Sequence, residues 1–439
     1  MRILFISPAD AGGAQLCRVL QKEGHDVRYL ILDRSRSLRK ILDGVIKKVR
    51  TLEQGLKWLG GRGSSLIVFD DVGAGKLADA LTCDGWSVVG SCEAADKLEL
   101  SREYGEKVLL NCGLSVPYSK SFRDLSEALL FLKSNQGPWV IKQDGKAHKT
   151  LNYVGKFPDN RDTLSLLENY CHNGFCRRNL ESIQIQERLI GVEMGVARYF
   201  NGRDWVGPIE INFEHKDLFP NSSGPKTDEM GTLMWYTDDE QNKLFQETLV
   251  RLKPYLQDIG FRGDIDINCI VNEHGAFPLE ITPRFGYPAL QLQIELHESP
   301  WGEFLKALAD GKQYHLRWRK GYGIVVLLAT PPFPYYRKGF SSFSPKGLTI
   351  HFRDGFSPRD FEHIHFAEVA RKDTGEYYVC GDSGYVLLIT GVGETVQKAR
   401  EKVYTLFEKI VVPKKYYRDD IGVKFIREDQ EKLRAWGYL

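Results

Sequence analysis

The sequence predicts a multidomain α/β and α+β protein, and three observations carry that prediction. The chain has 439 residues, too many for one hydrophobic core, so two to four domains are expected. Residues 1–100 alternate short apolar strands with amphipathic helices, the pattern of a doubly wound parallel sheet. Further on, residues 260–291 read as one long hairpin in which polar and apolar residues alternate.

Composition narrows the function classes. Hydrophobic residues make up 42% and charged residues 27%, the balance of an ordinary globular protein. The formal net charge is +2 and long basic tracts are absent, which argues against a nucleic-acid partner. The apolar run at the N-terminus is too short for a signal peptide, and no stretch has the length of a membrane span. The eight cysteines are scattered, several in apolar settings such as Cys17 and Cys269. They read as reduced core thiols of a cytoplasmic protein. The run Cys171-His172-Asn173-Gly174-Phe175-Cys176 holds metal-ligating residue types, but no second Cys or His pair stands near. It reads as a loop.

Along the chain, residues 3–6 form a buried strand. A turn at Gly12-Gly13 opens a helix with Leu16, Val19 and Leu20 on one face. Strands follow at 25–32 and 65–69, then a helix around 78–81 and a strand at 86–89. Ligands of such sheets sit beyond the carboxyl ends of the strands, here 7–13 and the stretch with Asp70 and Asp71. A helix near Arg102 stops at Gly113, and a strand at 139–142 delivers Lys142. Residues 144–150 form a basic turn with Lys146, His148 and Lys149. Residues 301–309 are helical, and 324–328 and 385–390 are strands. A helix at 393–410 puts Val396, Ala399, Val403, Leu406, Phe407 and Ile410 on one face. The charged tail after Gly422 is helical, and there is no internal repeat.

The hairpin has the clearest chemistry. Asp264, Asp266 and Asn268 alternate with Ile265 and Ile267, the period of a half-buried strand. After a turn at 272–275, the return strand carries Glu280 and Thr282 on one face. Asp266, Asn268, Glu280 and Thr282 can then share a patch. Such converging oxygens suit Mg2+, held by one or two carboxylates and nucleotide phosphates. Arg284 follows at once, a fork donor for phosphate or carboxylate. An ordinary polar hairpin face has the same pattern.

Leu279-Glu280-Ile281-Thr282-Pro283-Arg284-Phe285-Gly286 resembles the metal-binding strand of the ATP-grasp ligases. The continuation through Pro288 and Gln291 is similar to the phosphoribosylamine–glycine ligase family. Glu214-His215-Lys216, followed by Gly224-Pro225, Thr227 and Met230-Gly231, resembles that family's signature at nearly its spacing. Thr390-Gly391-Val392-Gly393-Glu394-Thr395 and Tyr417-Arg418-Asp419-Asp420-Ile421-Gly422 resemble its carboxy-terminal domain. The resemblance spans nearly the whole chain, with gaps before about residue 90 and around 155–180.

The resemblance implies an ATP-grasp fold. Its expected parts are an N-terminal α/β domain at 1–100, an ATP-grasp domain at 101–321 with a lid at about 122–195, and an α+β domain at 322–439. It implies ATP and Mg2+ as cofactors, and small-molecule carboxylate and amine substrates. The carboxylate would attack the γ-phosphate, and the amine would then displace phosphate from the acyl phosphate to give an amide. Arg102 and Lys142 would contact the nucleotide phosphates. Gln186 or Glu187 would face the adenine amine, the backbone of Arg188 or Leu189 would bond the ring, and Glu193 the ribose hydroxyls. Glu280 would hold metal, with Asn268 or Asp266 and with Thr282. Lys142 and Arg284 would neutralise charge during catalysis. Gly12, Gly13, Asp70, Asp71, Lys216, Thr227, Asp228, Met230, Gly231 and Arg284 would border the substrates. A cytoplasmic monomer or homodimer is expected, with neither membrane nor nucleic acid as partner.

The departures from the family cluster in one half of the pattern. Thr282 stands where the family has Asn, and Tyr287 and Ala289 where it has acids. The first loop lacks an Arg-Glu-His run, Asp70-Asp71 replace Pro-Glu, Asp228-Glu229 replace Gly-Gly, and Ser383-Gly384-Tyr385 replace Gly-Gly-Arg. The lid loop is basic where the family's is glycine-rich. The ATP half is largely kept and the ribosyl-phosphate half is altered. The expectation is a ligase whose amine carries no nearby phosphate. The purine-pathway enzyme itself and a nucleotide-binding protein without ligase activity are the alternatives. The acids at 228 and 229 would narrow the substrate pocket, unless they pair with Lys216 and Lys226.

Overall fold

The computed structural model describes residues 1–8, 12–33, 35, 38–143, 151–172, 182–335 and 343–439. The basic turn at 144–150 and Cys176 lie outside the described residues.

The N-terminal strands form a four-stranded parallel sheet in the order Asp26–Ile31, Arg2–Ser7, Ser65–Phe69, Val88–Val89. Its central strands are apolar throughout because both faces are covered. Leu4, Ile6, Ile67 and Phe69 pack on one face, and Ile3, Phe5, Leu66 and Val68 on the other. Trp86 and Ser87 precede the fourth strand rather than belonging to it. The helix from Arg102 is preceded by another, Glu93–Leu100. Extended backbone at Ser101 separates the two, and its hydroxyl accepts from the Tyr104 amide at 3.3 Å.

A small antiparallel sheet follows, in the order Ser119–Phe122, Ile183–Glu187, Trp139–Gln143, Tyr153–Val154. Helices Leu125–Ser134 and Arg161–His172 pack on it over a core of its own, with Ile141, Leu167 and Ile185. Cys171 and His172 therefore end a helix instead of opening a loop; its buried Thr163, Leu167 and Tyr170 carry the winding to that point.

The large sheet has eight strands. Their order is Gly275–Thr282, Arg262–Asn272, Val192–Asn201, Trp205–Glu214, Gly231–Thr237, Tyr322–Ala329, Tyr385–Gly393, Ile364–Phe366. It is antiparallel throughout and runs on past residue 321. The long hairpin forms its outer pair. Helix Val396–Glu408 covers the far strands, and Ile410 opens a short strand beyond that helix. Among the described residues no helix is long and apolar enough to cross a membrane.

One glycine joins the first sheet to the large one. The Gly90 amide donates to the Arg262 carbonyl at 2.7 Å, at a φ of 116°. A Cβ there would run into the Phe69 carbonyl. Gly90→Ala is expected to cost about 2 kcal/mol or more, the strain of a left-handed alanine plus the displaced backbone. Urea denaturation reads it; an unchanged midpoint would show that the junction adapts freely.

Candidate active site

The floor of the main cavity is written in the register of the large sheet. Residues opposite one another in an antiparallel pair point to the same face. One row across the strands reads Thr282, Asp266, Ala197, Glu210, Tyr236. A parallel row reads Glu280, Asn268, Gly195, Asn212, Met234. The small residues Ala197 and Gly195 stand in the middle, where larger side chains would fill the space. The hairpin strand expected to be half-buried is buried on both faces: Asp264 is 3%, Asp266 8% and Asn268 2% exposed. Its polar face turns toward this floor rather than toward solvent.

Above the floor lies a cavity of about 810 Å3. Its walls include Gly12, Asp70 and Asp71 from the first sheet, and Arg102 and Lys142 from the helical and small-sheet side. Gln186, Glu187, Leu189 and Glu193 line it where the chain crosses between the two antiparallel sheets. Asp266, Thr282, Glu280, Arg284, Lys216, Thr227 and Asp228 complete the overlap with the residues expected from sequence. Gly13, Asn268, Met230 and Gly231 do not line it. Met230 is core, and its amide donates to the His215 carbonyl at 2.9 Å. Among the described residues, carboxylates outnumber cations in the lining.

Lys216 sits among three of those carboxylates. Its ammonium is 2.6 Å from Glu280, 2.7 Å from Glu214 and 3.7 Å from Glu193. Burial alone would lower its pKa, but the three acids outweigh burial and hold it well above the usual lysine range. Asn268 Nδ2 donates to Glu193 at 2.9 Å and to Glu214 at 2.6 Å, while Asn268 Oδ1 is buried without a hydrogen-bond partner. The Thr227 amide and hydroxyl both donate to the Lys216 carbonyl, at 2.7 and 2.9 Å. Lys216 is thus bound to the acid knot, and Lys226 pairs with Asp217 at 3.1 Å. Neither lysine pairs with Asp228, which is exposed, while Glu229 is buried and accepts from the Thr232 hydroxyl.

Lys142 behaves in the opposite way. Burial and the nearby Arg102 bring it down to about 7, so near neutrality its ammonium is only partly populated. Arg102 Nε donates to the Gln143 carbonyl at 2.8 Å, next to Lys142. Arg284 is engaged from two sides, 3.1 Å from Asp71 and 3.0 Å from Glu99. Asp70 accepts from the Gly13 amide at 2.9 Å and from the Tyr29 hydroxyl. The backbone amides of Glu187 and Arg188 donate to the Tyr118 and Pro138 carbonyls, at 2.8 and 3.1 Å.

Further residues of the floor were not singled out by sequence. Glu210 and Asp264 are bridged by Gln293 Nε2, at 2.8 and 2.7 Å. Asn212 Nδ2 donates to Asp266 at 2.6 Å and to Glu210 at 3.2 Å. Burial, with Asp264 alongside, pushes Glu210 up to about 8, and burial pushes Asp264 up to about 7. Burial first, and then Glu214, hold Asp266 and Glu229 well above the carboxylate range. The signal was present: Glu210-Ile211-Asn212-Phe213-Glu214 alternates just as the hairpin strand does.

Comparison with known proteins gives one consistent answer. Residues 100–289 match the family model for the phosphoribosylglycinamide synthetase ATP-grasp (A) domain, and residues 336–424 that for its C domain. The phosphoribosylamine–glycine ligase of Listeria innocua is 27% identical over 356 residues, 79% of this chain and 81% of that protein. That of Halalkalibacterium halodurans is 25% identical over 357 residues, 80% of each. Among solved structures, phosphoribosylamine–glycine ligase from Thermotoga maritima superposes with a TM-score of 0.68 at 21% identity, covering 96% of this chain and 100% of that one. The MgADP complex of the biotin carboxylase domain of Hydrogenobacter thermophilus 2-oxoglutarate carboxylase reaches 0.64 at 11% identity, covering 99% and 97%. At these identities the structural likenesses speak for the fold.

The knot around Lys216 makes a stability prediction. Lys216→Met leaves three carboxylates facing one another without their cation. These side chains are half-buried, so solvent screens the knot, and losing all three partners at once is expected to cost about 1–2 kcal/mol. Lys226→Met, at the half-buried pair with Asp217, is expected to cost under about 1 kcal/mol. Urea denaturation of both variants checks the ranking, and equal losses would contradict it.

Proposed function

The chain belongs to the phosphoribosylglycinamide synthetase family of ATP-grasp ligases, and from that membership we propose that it joins a carboxylate to an amine other than phosphoribosylamine. The enzyme forms a C–N bond and produces ADP. The observation that carries the reading is one cavity lined by Arg102, Lys142, Glu280 and Arg284, the residues that ATP-dependent ligation needs together. We take residues 1–100, 101–321 and 322–439 as the units around it, in a cytoplasmic monomer or homodimer.

The residues fit a nucleotide with Mg2+. Glu280, Glu193 and Glu214 already gather around a cation, the Lys216 ammonium, and Asn268 Oδ1 is a buried acceptor without a partner. Among the described residues no three acid, His or Cys side chains are preassembled as a metal cage. That suits an ion held by one or two carboxylates and by phosphate oxygens. Glu280 would hold it, with Asn268 or Asp266 and with Thr282; when bound, it neutralises phosphate charge. A structural neighbour carries MgADP in the same fold.

The side chains then divide the work. Arg102 and Lys142 hold the phosphates. Gln186 or Glu187 faces the adenine amine. The Arg188 amide is already spent on Pro138, which favours the Leu189 backbone for the ring, with Glu193 toward the ribose. The substrate carboxylate attacks the γ-phosphate, giving acyl phosphate and ADP. The amine then displaces phosphate and forms the amide. Arg284, released from Asp71 or Glu99, neutralises the acyl phosphate. Such chemistry depends on positioning and charge more than on covalent help.

The change of amine rests on charge. Carboxylates dominate the lining, and a phosphate beside an unpaired one is repelled by about 1 kcal/mol or more at an effective dielectric near 20. A second reading, glycine plus phosphoribosylamine, is favoured by the names of the curated relatives. ADP release in a coupled assay, with glycine and a panel of amines, separates the two. An amine without phosphate is expected to outperform phosphoribosylamine. Turnover with glycine and phosphoribosylamine at about 10 per second, typical of enzymes, would restore the purine reading. Glu280→Gln is expected to abolish turnover with every active pair while leaving the unfolding midpoint within a few degrees.

Lys142 adds a pH signature. Polyphosphate favours its charged form, and the empty site holds it near 7. At pH 8 the binding of Mg-ADP should therefore take up a proton; well below 7 the lysine is already charged and takes up none. Calorimetry in buffers of different ionisation enthalpy measures the uptake. Lys142→Met should lose that share of it, and an unchanged uptake would remove Lys142 from the phosphate site.

A further inference from the structure

Three carboxylates on the cavity floor are held together by neutral groups. Gln293 Nε2 bridges Glu210 and Asp264, and Asn212 Nδ2 bridges Glu210 and Asp266. Amide donors orient carboxylates without cancelling their charge. Among the described residues none of these three acids makes an ion pair with Lys, Arg or His. Lys216 serves the neighbouring row, with Glu280, and Arg284 serves Asp71 and Glu99.

Two further atoms point to a missing occupant. Asp264 Oδ1 is buried without a hydrogen-bond partner. So is the hydroxyl of Tyr236, which stands opposite Glu210 in register, is 6% exposed and feels the charge of both Glu210 and Asp264. Native proteins rarely leave such atoms unmet, and those that do repay explanation. All three acids line the cavity, so the group that meets them can come from its interior.

We propose that Glu210 and Asp264 form a subsite for an alkylammonium group of the substrate, with Asp266 standing between it and the candidate metal ligands. The subsite names the substrate class for the ligase reading and rests on it: a substrate with a second, cationic end. An ammonium supplies three donors and one full charge, meeting the unpartnered Asp264 Oδ1 and favouring the ionised form of all three acids. The Glu210 row lies two residues along the strands from the Glu280 row, about 7 Å. A four-carbon diamine spans about that distance.

Calorimetric titration of the full chain, with Mg-ADP present, compares 1,4-diaminobutane with n-butylamine. The diamine is expected to bind about tenfold more tightly or better, the scale of one charge-assisted contact. Glu210→Gln/Asp264→Asn should erase most of that advantage, and Asp264→Asn alone should reduce it. Thermal unfolding of the variants should stay at or above the parent, since each loses a buried acid. Equal affinity for the two probes, or an undiminished advantage in the folded double variant, overturns the subsite. The ligase reading is tested apart by ADP release. A diamine preference in a chain that turns over no acid–amine pair upholds the subsite and sinks the ligase reading. Turnover of simple amines without any diamine preference does the reverse.

Discussion

The cavity depends on the positive charge of Lys216. Glu280, Glu193 and Glu214 come from three strands of the large sheet, and one ammonium answers all of them, while the Asn268 side-chain amide ties Glu193 to Glu214. Without that ammonium, three half-buried carboxylates would face one another and repel. Thr227 fixes the lysine from behind by donating twice to its carbonyl. The signature run from Glu214 to Gly231 therefore has a mechanical meaning. It folds the Asp217–Phe219 and Ser223–Lys226 strands over so that Thr227 backs Lys216 and Met230 anchors the turn in the core.

An ammonium and a divalent ion are alternatives at such a knot. Both satisfy the same carboxylates, and the ion brings twice the charge. Its arrival with a nucleotide would release Lys216 toward the phosphates, where a cation is useful. Lys142 complements this arrangement. It is only partly charged near neutrality, because burial and Arg102 oppose the ammonium, and a phosphate beside it would favour the charged form. One lysine is thus held charged by the empty site and the other becomes charged in the filled one.

Much of this was legible in the sequence. The parallel N-terminal sheet, the hairpin and the strand delivering Lys142 follow from apolar periodicity and turn residues. The nucleotide side was legible through resemblance, and its residues do line one cavity. The floor was not, for a definable reason. Period-two alternation identifies which residues share a face of one strand, but not what covers that face. Asp264 and Asp266 read as half-buried because alternation normally means water on one side; here the polar side is roofed by the lid sheet and the N-terminal unit. Glu210 and Asn212 join them only through cross-strand register, which one strand's pattern does not contain. Likewise Asp70 looked like a substrate contact from its place at a strand end, yet its partners, Gly13 and Tyr29, come from other elements.

This relocates the reason for expecting an unusual amine. Asp70 holds the Gly13 turn and accepts from Tyr29, and Asp71 is paired with Arg284, so Asp71 presents little unanswered charge to a phosphate. Asp228 is exposed, where water weakens repulsion several-fold relative to the interior. The acids that matter are instead Glu210, Asp264 and Asp266, buried, close together and answered only by amides. Keeping them there opposes folding, since each buried carboxyl must give up either its hydration or its charge. Apolar residues in the same register would pack the floor more stably, and such costs concentrate at functional sites. A cationic substrate end turns that cost into affinity, because it favours the ionised form that burial holds back.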